Sequence, residues 1–215
     1  QLKLAHGRGQ KQFLIAMHHP LVAMSNPTFD SMPGWASLSG EQALRVINLC
    51  ARYHVKAHLA GHLHPIYDCY NSPGGVLSLA GPALGTSPNA PSGQFRIFSL
   101  EDGVLCWTEA VPGQWPALAV IAPERNAQYS PVAAQDGLAK VIVKPFSPAP
   151  IATVTCAAPG KEPVAMTPCG EGRYETRLAV GNTGLTWATL TLSATDARGR
   201  TTAVKYPVLV RPVKQ

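Results

Sequence analysis

The chain has little charge, and its acidic residues are absent from the amino-terminal stretch. Only 14% of the residues are charged, and no aspartate or glutamate occurs before Asp30. The net charge of +6 is spread without a lysine or arginine run, which excludes nucleic acid as a specific partner. The five cysteines include no CxxC pair, so a zinc ribbon is excluded. No apolar run approaches the roughly 20 residues of a membrane-spanning helix.

The content of hydrophobic residues, glycine and proline favours a turn-rich β protein. The 215 residues allow one large or two modest domains, and 46% hydrophobic residues can build a substantial core. Nineteen glycines and 20 prolines favour many turns and mostly β structure. The low charge favours a location outside the cytoplasm, periplasmic or secreted.

The cysteines divide into two groups by their neighbours. Cys50, Cys69 and Cys106 lie among apolar or aromatic residues and are predicted to be buried thiols. Cys156 and Cys169 lie on strands predicted to be neighbours, and are candidates for a disulfide. That bond would require an oxidising compartment.

Two predicted strands end in histidine. An apolar strand at residues 13–17 leads into His18-His19-Pro20, and a second at residues 55–60 leads into Gly61-His62-Leu63-His64. Between them, Ser39 is a predicted N-cap of a helix with one apolar face that ends near Tyr53. Strand, helix and strand in this order predict parallel strands, whose carboxyl ends are the ligand-binding edge of an open sheet.

Neutral imidazole is a common metal ligand, so these clusters predict a metal site formed by His18, His62 and His64. Gly61 is expected to let the backbone turn sharply without a Cβ clash. His6, His54 and His58 lie outside these two clusters, and no function is assigned to them.

The rest of the chain is predicted to be β structure. Strands at 66–70 and 76–80 are followed by a hairpin around Glu101-Asp102-Gly103. A proline- and glycine-containing stretch at 111–116 indicates a boundary between domains at 1–112 and 113–215. After it, about seven short alternating strands in roughly 100 residues predict a β-sandwich.

The first domain resembles the carboxyl-terminal half of the calcineurin-like metallophosphoesterase family. The resemblance rests on His18-His19-Pro20, the following helix, the strand at 55–60, Gly61-His62-Leu63-His64 and Leu79-Ala80-Gly81, and covers roughly the first 110 residues. The second domain is similar to immunoglobulin-like modules appended to some bacterial phosphoesterases. The resemblance implies an α/β fold, a partial metallophosphoesterase β-sandwich with a flanking helix, plus an all-β immunoglobulin-like sandwich.

The resemblance also implies residue roles and cofactors. His18 and His62 would bind one metal and His64 a second, with iron, manganese or zinc as the ions. His19 would support a ligand or donate a hydrogen bond to the substrate. The implied activity is hydrolysis of phosphate mono- or diesters.

The sequence departs from the family pattern upstream of His18. The family's Asp-x-His, Gly-Asp and Gly-Asn-His motifs are absent, and Asp30, Glu41 and Asp68 lack the family context. The chain is therefore expected to be the carboxyl-terminal part of a larger enzyme, whose partner is the missing amino-terminal segment. Alone, it is expected to hold at most one metal weakly and to be inactive or nearly so.

Two alternatives remain open from the sequence. One is a non-catalytic binding protein whose β-sandwich recognises a partner or glycan, with Trp115 and Trp187 as contact aromatics. Ordinary core packing is, however, the favoured role for both tryptophans. The other is a mononuclear zinc hydrolase with three histidine ligands, which would need an open fourth position and a nearby base. The sequence offers no good candidate for that base.

Overall fold

The computed structural model describes residues 1–20, 40–61, 67–71, 76–82, 93–125, 130–135, 137–180 and 186–212. The chain divides into two compact units, Gln1–Phe95 and Arg96–Gln215. The described structure is mostly β-sheet with few helices. No helix within these ranges is long and apolar enough to cross a membrane. The domain bounds 1–112 and 113–215 stay a prediction.

The first unit is built on a small mixed sheet. Its elements are α1 (Leu2–Gly7), β1 (Phe13–Ala16), α2 (Gly40–Arg52), β2 (Val55–Ala60), β3 (Tyr67–Asn71) and β4 (Val76–Ala80). The strand order is β1-β2-β4-β3, with β1, β2 and β4 parallel and β3 antiparallel to β4. The predicted parallel pairing of the two strands that lead into histidine is therefore confirmed.

Helix α2 contributes to a small core with the sheet. Cys50 of α2 is fully buried in one cluster with Val55 and Val76, and the partly buried Val46 and Phe13 pack against that cluster. The apolar spacing predicted for this helix is thus its packing face. The predicted N-cap, Ser39, lies outside the described residues.

The amino-terminal segment departs from expectation. The polar and basic character of residues 1–12 predicts a loop, but Leu2–Gly7 form a short helix. Leu2 packs against the same core cluster, which explains how a six-residue helix is held in place. Helices this short depend on tertiary contacts rather than on their own propensity.

The second unit contains most of the strands. Its elements are β5 (Phe95–Glu101, beginning at the last residue of the first unit), β6 (Val104–Ala110), β7 (Ala117–Ala122), β8 (Ser130–Gln135), β9 (Leu138–Phe146), β10 (Ile151–Ala157), β11 (Val164–Ala165), β12 (Thr167–Gly170), β13 (Arg173–Ala179), β14 (Thr186–Asp196) and β15 (Thr201–Pro212). The hydrogen-bonded order is β11-β10-β14-β15-β8-β9-β13-β12, and β7 also pairs with β9. Strand β8 pairs in parallel with β15 and antiparallel with β9.

The core of the second unit follows from alternation along the strands. Val141 and Val143 of β9 and Leu190 and Leu192 of β14 are at most 1% exposed, while their sequence neighbours are less buried. Period-two burial is what a strand with one face on a core produces. Trp187 on β14 is instead 61% exposed, so the core packing favoured for it is wrong. Trp115 is half-buried.

The β5–β6 hairpin forms as predicted around Glu101-Asp102-Gly103. Asp102 and Gly103 have φ angles of 48° and 82°, the left-handed region that two-residue hairpin turns of type I′ require. Cys106 on β6 packs with Ala119 and Ile121 of β7, so the hairpin covers one face of that strand.

A partly buried ion pair lies in the same unit. Lys144 Nζ is 2.6 Å from Glu101 Oε1, and Ser99 Oγ also donates to that oxygen. Burial raises the pKa of Glu101, but the hydrogen bonds from Lys144 and Ser99 outweigh it and hold the pKa below its usual range. Burial, with the Glu101 charge as a smaller cause, raises the pKa of Cys106 to about 11.

The cysteine predictions have mixed outcomes. Cys50 and Cys106 are buried thiols as predicted, and the side chain of Cys69 lies outside the described residues. The disulfide suggested for Cys156 and Cys169 is absent, since both are free. Their strands, β10 and β12, are not neighbours: β10 pairs with β11 and β14, whereas β12 pairs with β13.

Candidate metal centre

The candidate site lies at the carboxyl edge of the three parallel strands of the first unit. Hydrogen bonding between the strands continues past their ends. Met17 N donates to Leu59 O at 3.0 Å, and Gly61 N donates to His18 O at 3.1 Å. Gly81 N donates to Ala60 O at 2.8 Å, which brings the third strand end to the same edge. The backbone therefore aligns the residues that follow β1, β2 and β4.

His18 and His19 are both described, and their rings contact each other. The ring centroids are 4.9 Å apart and the ring planes are perpendicular. His18 is exposed and His19 is half-buried, and the next residue, Pro20, is buried. This edge-to-face contact orients the pair at the end of β1.

Gly61 is adjacent to His18 in space but does not have the role predicted for it. Its φ lies outside the left-handed region. A Cβ built on it would lie 3.8 Å from His18 Nδ1 and 3.9 Å from His18 O, which is ordinary van der Waals contact. Against the described residues, the prediction that Gly61 avoids a Cβ clash is therefore wrong. Having no side chain, Gly61 itself places no atom beyond its Cα beside His18 Nδ1.

The other two predicted ligands, His62 and His64, lie outside the described residues. His62 follows Gly61 directly in the chain, so its backbone begins one residue from a hydrogen-bonded neighbour of His18. Among the residues that the structure does describe, no group of three or more His, Cys, Asp or Glu side chains could hold a metal ion.

His58, four residues before His62, is a packing residue of β2. It is 0% exposed, and Ser78 Oγ on β4 lies 3.4 Å from its Nδ1. Burial lowers the pKa of His58 to about 4, so the imidazole is neutral at physiological pH. Its Nε2 has no hydrogen-bond partner among the described residues.

The acids near the site do not complete it within the described ranges. Asp30 lies outside them, and Glu41 is exposed in the first turn of α2. Asp68 is on β3, in register with Leu79 of β4. The described part of this edge offers the imidazole side chains of His18 and His19.

Comparisons with known proteins leave the family open. No family model and no curated protein matches the chain. Among solved structures, an engineered protein has a TM-score of 0.35 and 19% identity over 46% of this chain and 20% of its own. An endo-β-1,4-mannanase from Thermotoga petrophila has a TM-score of 0.35 and 11% identity over 95% of this chain and 47% of its own. The chain spans less than half the length of either protein.

Proposed function

We propose that this chain is the carboxyl-terminal part of a dinuclear-metal phosphoesterase that hydrolyses phosphate mono- or diesters. The observation that carries the proposal is the hydrogen bond from Gly61 N to His18 O, 3.1 Å long, at the carboxyl ends of two parallel strands. Because His62 follows Gly61, the two histidine clusters start from neighbouring points of one sheet edge. Ligands bind at such edges in open sheets with parallel strands.

The donors at this edge fit a metal of the proposed kind. His18 is exposed, and Gly61 places no side chain beside its Nδ1. Neutral imidazole suits zinc, iron and manganese sites, and His18 with His62 would hold one ion while His64 contributes to the second. No carboxylate precedes Asp30, so the bridging ligand would come from the missing amino-terminal segment. This chain alone would hold at most one ion weakly.

The chain's own residues would bind and orient the phosphate. Bound metals would supply Lewis acidity and a water of lowered pKa. His19, held edge-to-face against His18, would donate a hydrogen bond to a phosphate oxygen and stabilise charge that develops there. This division of roles leaves the isolated chain inactive towards phosphate esters.

The second unit supports the accompanying fold proposal, an immunoglobulin-like sandwich. One set of neighbours runs β7-β9-β13-β12 and the other includes β10-β14-β15. In chain order these correspond to strands A-B-E-D and C-F-G of the immunoglobulin arrangement. The first unit, with its parallel strands and α2, supports the α/β part of the proposal.

The test is the metal content of the purified chain, measured by elemental analysis after equilibration with zinc. We expect at most one ion per chain, lost in His18→Ala and in His62→Ala. A matched control is His54→Asn, because His54 is exposed at the opposite end of β2 and asparagine tolerates its φ of 52°. Two ions per chain, or zinc retained by both alanine variants, would contradict the proposal.

Activity provides the second readout. The chain alone should not hydrolyse p-nitrophenyl phosphate or bis-p-nitrophenyl phosphate. The complete protein with its upstream segment should hydrolyse one of them, and His18→Ala should abolish that activity. A complete protein that binds metal but cleaves neither ester would refute the phosphoesterase function.

A further inference from the structure

The second unit has a groove on the outer face of β14 that no part of the proposed phosphoesterase uses. Trp187, Thr189 and Thr191 alternate with Ala188, Leu190 and Leu192 along this strand. Leu190 and Leu192 face the core and are at most 1% exposed, and Ala188 is partly buried, whereas Trp187, Thr189 and Thr191 are exposed. The alternation therefore turns a large aromatic side chain and two hydroxyls outward together.

The groove has a volume of about 520 Å³. Its lining residues are Pro159, Trp187, Ala188, Thr189, Thr191 and Lys205. This size lies within the range of small-molecule sites. The register pairs Thr191 with Lys205 on β15, so a cation lies beside the hydroxyl furthest from the tryptophan. From Trp187 to Thr191 the strand rises by about 13 Å, enough for an elongated ligand.

The chemistry of the lining distinguishes between classes of ligand. An indole side chain offers a broad apolar face, and threonine hydroxyls both donate and accept hydrogen bonds. Protein interfaces are instead enriched in several aromatic, methionine and arginine side chains, and depleted in lysine and alanine. Of the lining residues that the structure describes, one is aromatic and none is methionine or arginine. One lysine is also too little charge for a nucleic-acid backbone.

We propose that this groove binds a saccharide chain, with the apolar face of one sugar ring on Trp187 and an acidic sugar near Lys205. Sugars combine C–H faces with a dense set of hydroxyls, which matches an aromatic face beside two threonines. No carboxylate is among the described lining residues, so a negatively charged sugar meets no repulsion from them. The proposal stands independently of the phosphoesterase function.

The experiment is affinity electrophoresis of the full chain in native gels that contain a soluble polysaccharide. The probes are polygalacturonate and alginate as acidic polymers and galactomannan as a neutral one, all at about physiological salt. We expect an acidic polymer to retard the chain, and Trp187→Ala to weaken that binding by about tenfold or more. Lys205→Gln should weaken binding to the acidic polymers only.

Controls separate this site from general attraction to a chain of net charge +6. Trp187→Ala leaves the charge unchanged, and its 61% exposure makes unfolding of the variant a poor explanation of lost binding. Leu138→Ala removes another exposed apolar side chain of the same unit, 39% exposed, and should bind like the unaltered chain. Thermal melts check that every variant is folded.

Three results would overturn the proposal. One is the absence of retardation by both acidic polymers. Another is retardation that Trp187→Ala leaves unchanged, since charge alone would then explain it. The third is a dimer that depends on Trp187 in sedimentation without saccharide, because the groove would then be a protein interface.

Discussion

His58 should make the first unit lose stability in acid. The side chain is 0% exposed, and burial lowers its pKa to about 4 from an ordinary value near 6.5. Between these values the unfolded chain binds a proton that the folded chain does not. The contribution of His58 to the free energy of unfolding is therefore fully present above about pH 6.5 and is lost as the pH falls to about 4.

The magnitude follows from the difference between the two pKa values. If His58 were completely shielded from solvent, this difference would lower the free energy of unfolding by about 3 kcal/mol between pH 7 and pH 4. Allowance for solvent screening reduces the change to about 2 kcal/mol. Replacing His58 by leucine removes the titration and also an Nε2 that has no hydrogen-bond partner among the described residues. The variant should be within about 1 kcal/mol of the parent, or more stable, at neutral pH. The free energy of unfolding of the variant, relative to that of the parent, should increase by about 2 kcal/mol as the pH is lowered from about 7 to about 4.

The assay is urea unfolding followed by circular dichroism at several pH values, for the parent chain and His58→Leu. Carboxylates titrate in both proteins, so the difference between them isolates the histidine. An NMR titration of the imidazole C–H signals measures its pKa directly. A His58 pKa near 6.5, or a stability difference that does not change with pH, would refute the reasoning.

Three further predictions concern the second unit. Glu101→Gln removes the buried partner of Lys144 and should lower the free energy of unfolding in urea by about 2 kcal/mol. Glu175→Gln breaks an exposed pair with Lys140 and should lower it by less than about 1 kcal/mol in the same assay. Leu192→Ala removes a side chain that is 0% exposed and should cost about 2–5 kcal/mol; a loss under 1 kcal/mol in urea unfolding would contradict its core position. Burial raises the pKa of the Cys156 thiol to about 11, so iodoacetamide followed by mass spectrometry should label Cys169 first, and a disulfide between the two in the unreduced chain would contradict the structure.

The sequence was most informative where alternation or helical spacing is strong and the segment is bounded by turn residues. The bounds of β2 and β4, the position of α2 and the hairpin turn at Asp102-Gly103 were all predictable for this reason. Helix α1 was not, because it depends on the contact of Leu2 with residues distant in sequence. Strand neighbours in the second unit were not predictable either, so Cys156 and Cys169 were paired on strands that are not adjacent.

For the candidate site, pattern reasoning located the sheet edge but misjudged a residue within it. The parallel pairing that brings His18 beside Gly61 follows from the strand–helix–strand order. The role of Gly61 depended on a backbone dihedral angle, which the sequence does not determine. Trp187 illustrates the same limit, because alternation alone says which residues share a face of β14 and not which face is covered.

The parallel pairing of β8 with β15 has a mechanical consequence. Five residue pairs, from Val208 with Ser130 to Pro212 with Ala134, join the two strands side by side. If tension is applied to the start of β8 and the end of β15, parallel strands are pulled in opposite directions along their length. The hydrogen bonds between them then bear the load in shear and together, rather than opening one after another as they would at the end of an antiparallel hairpin. The β8–β15 pair should therefore resist mechanical extension of the second unit.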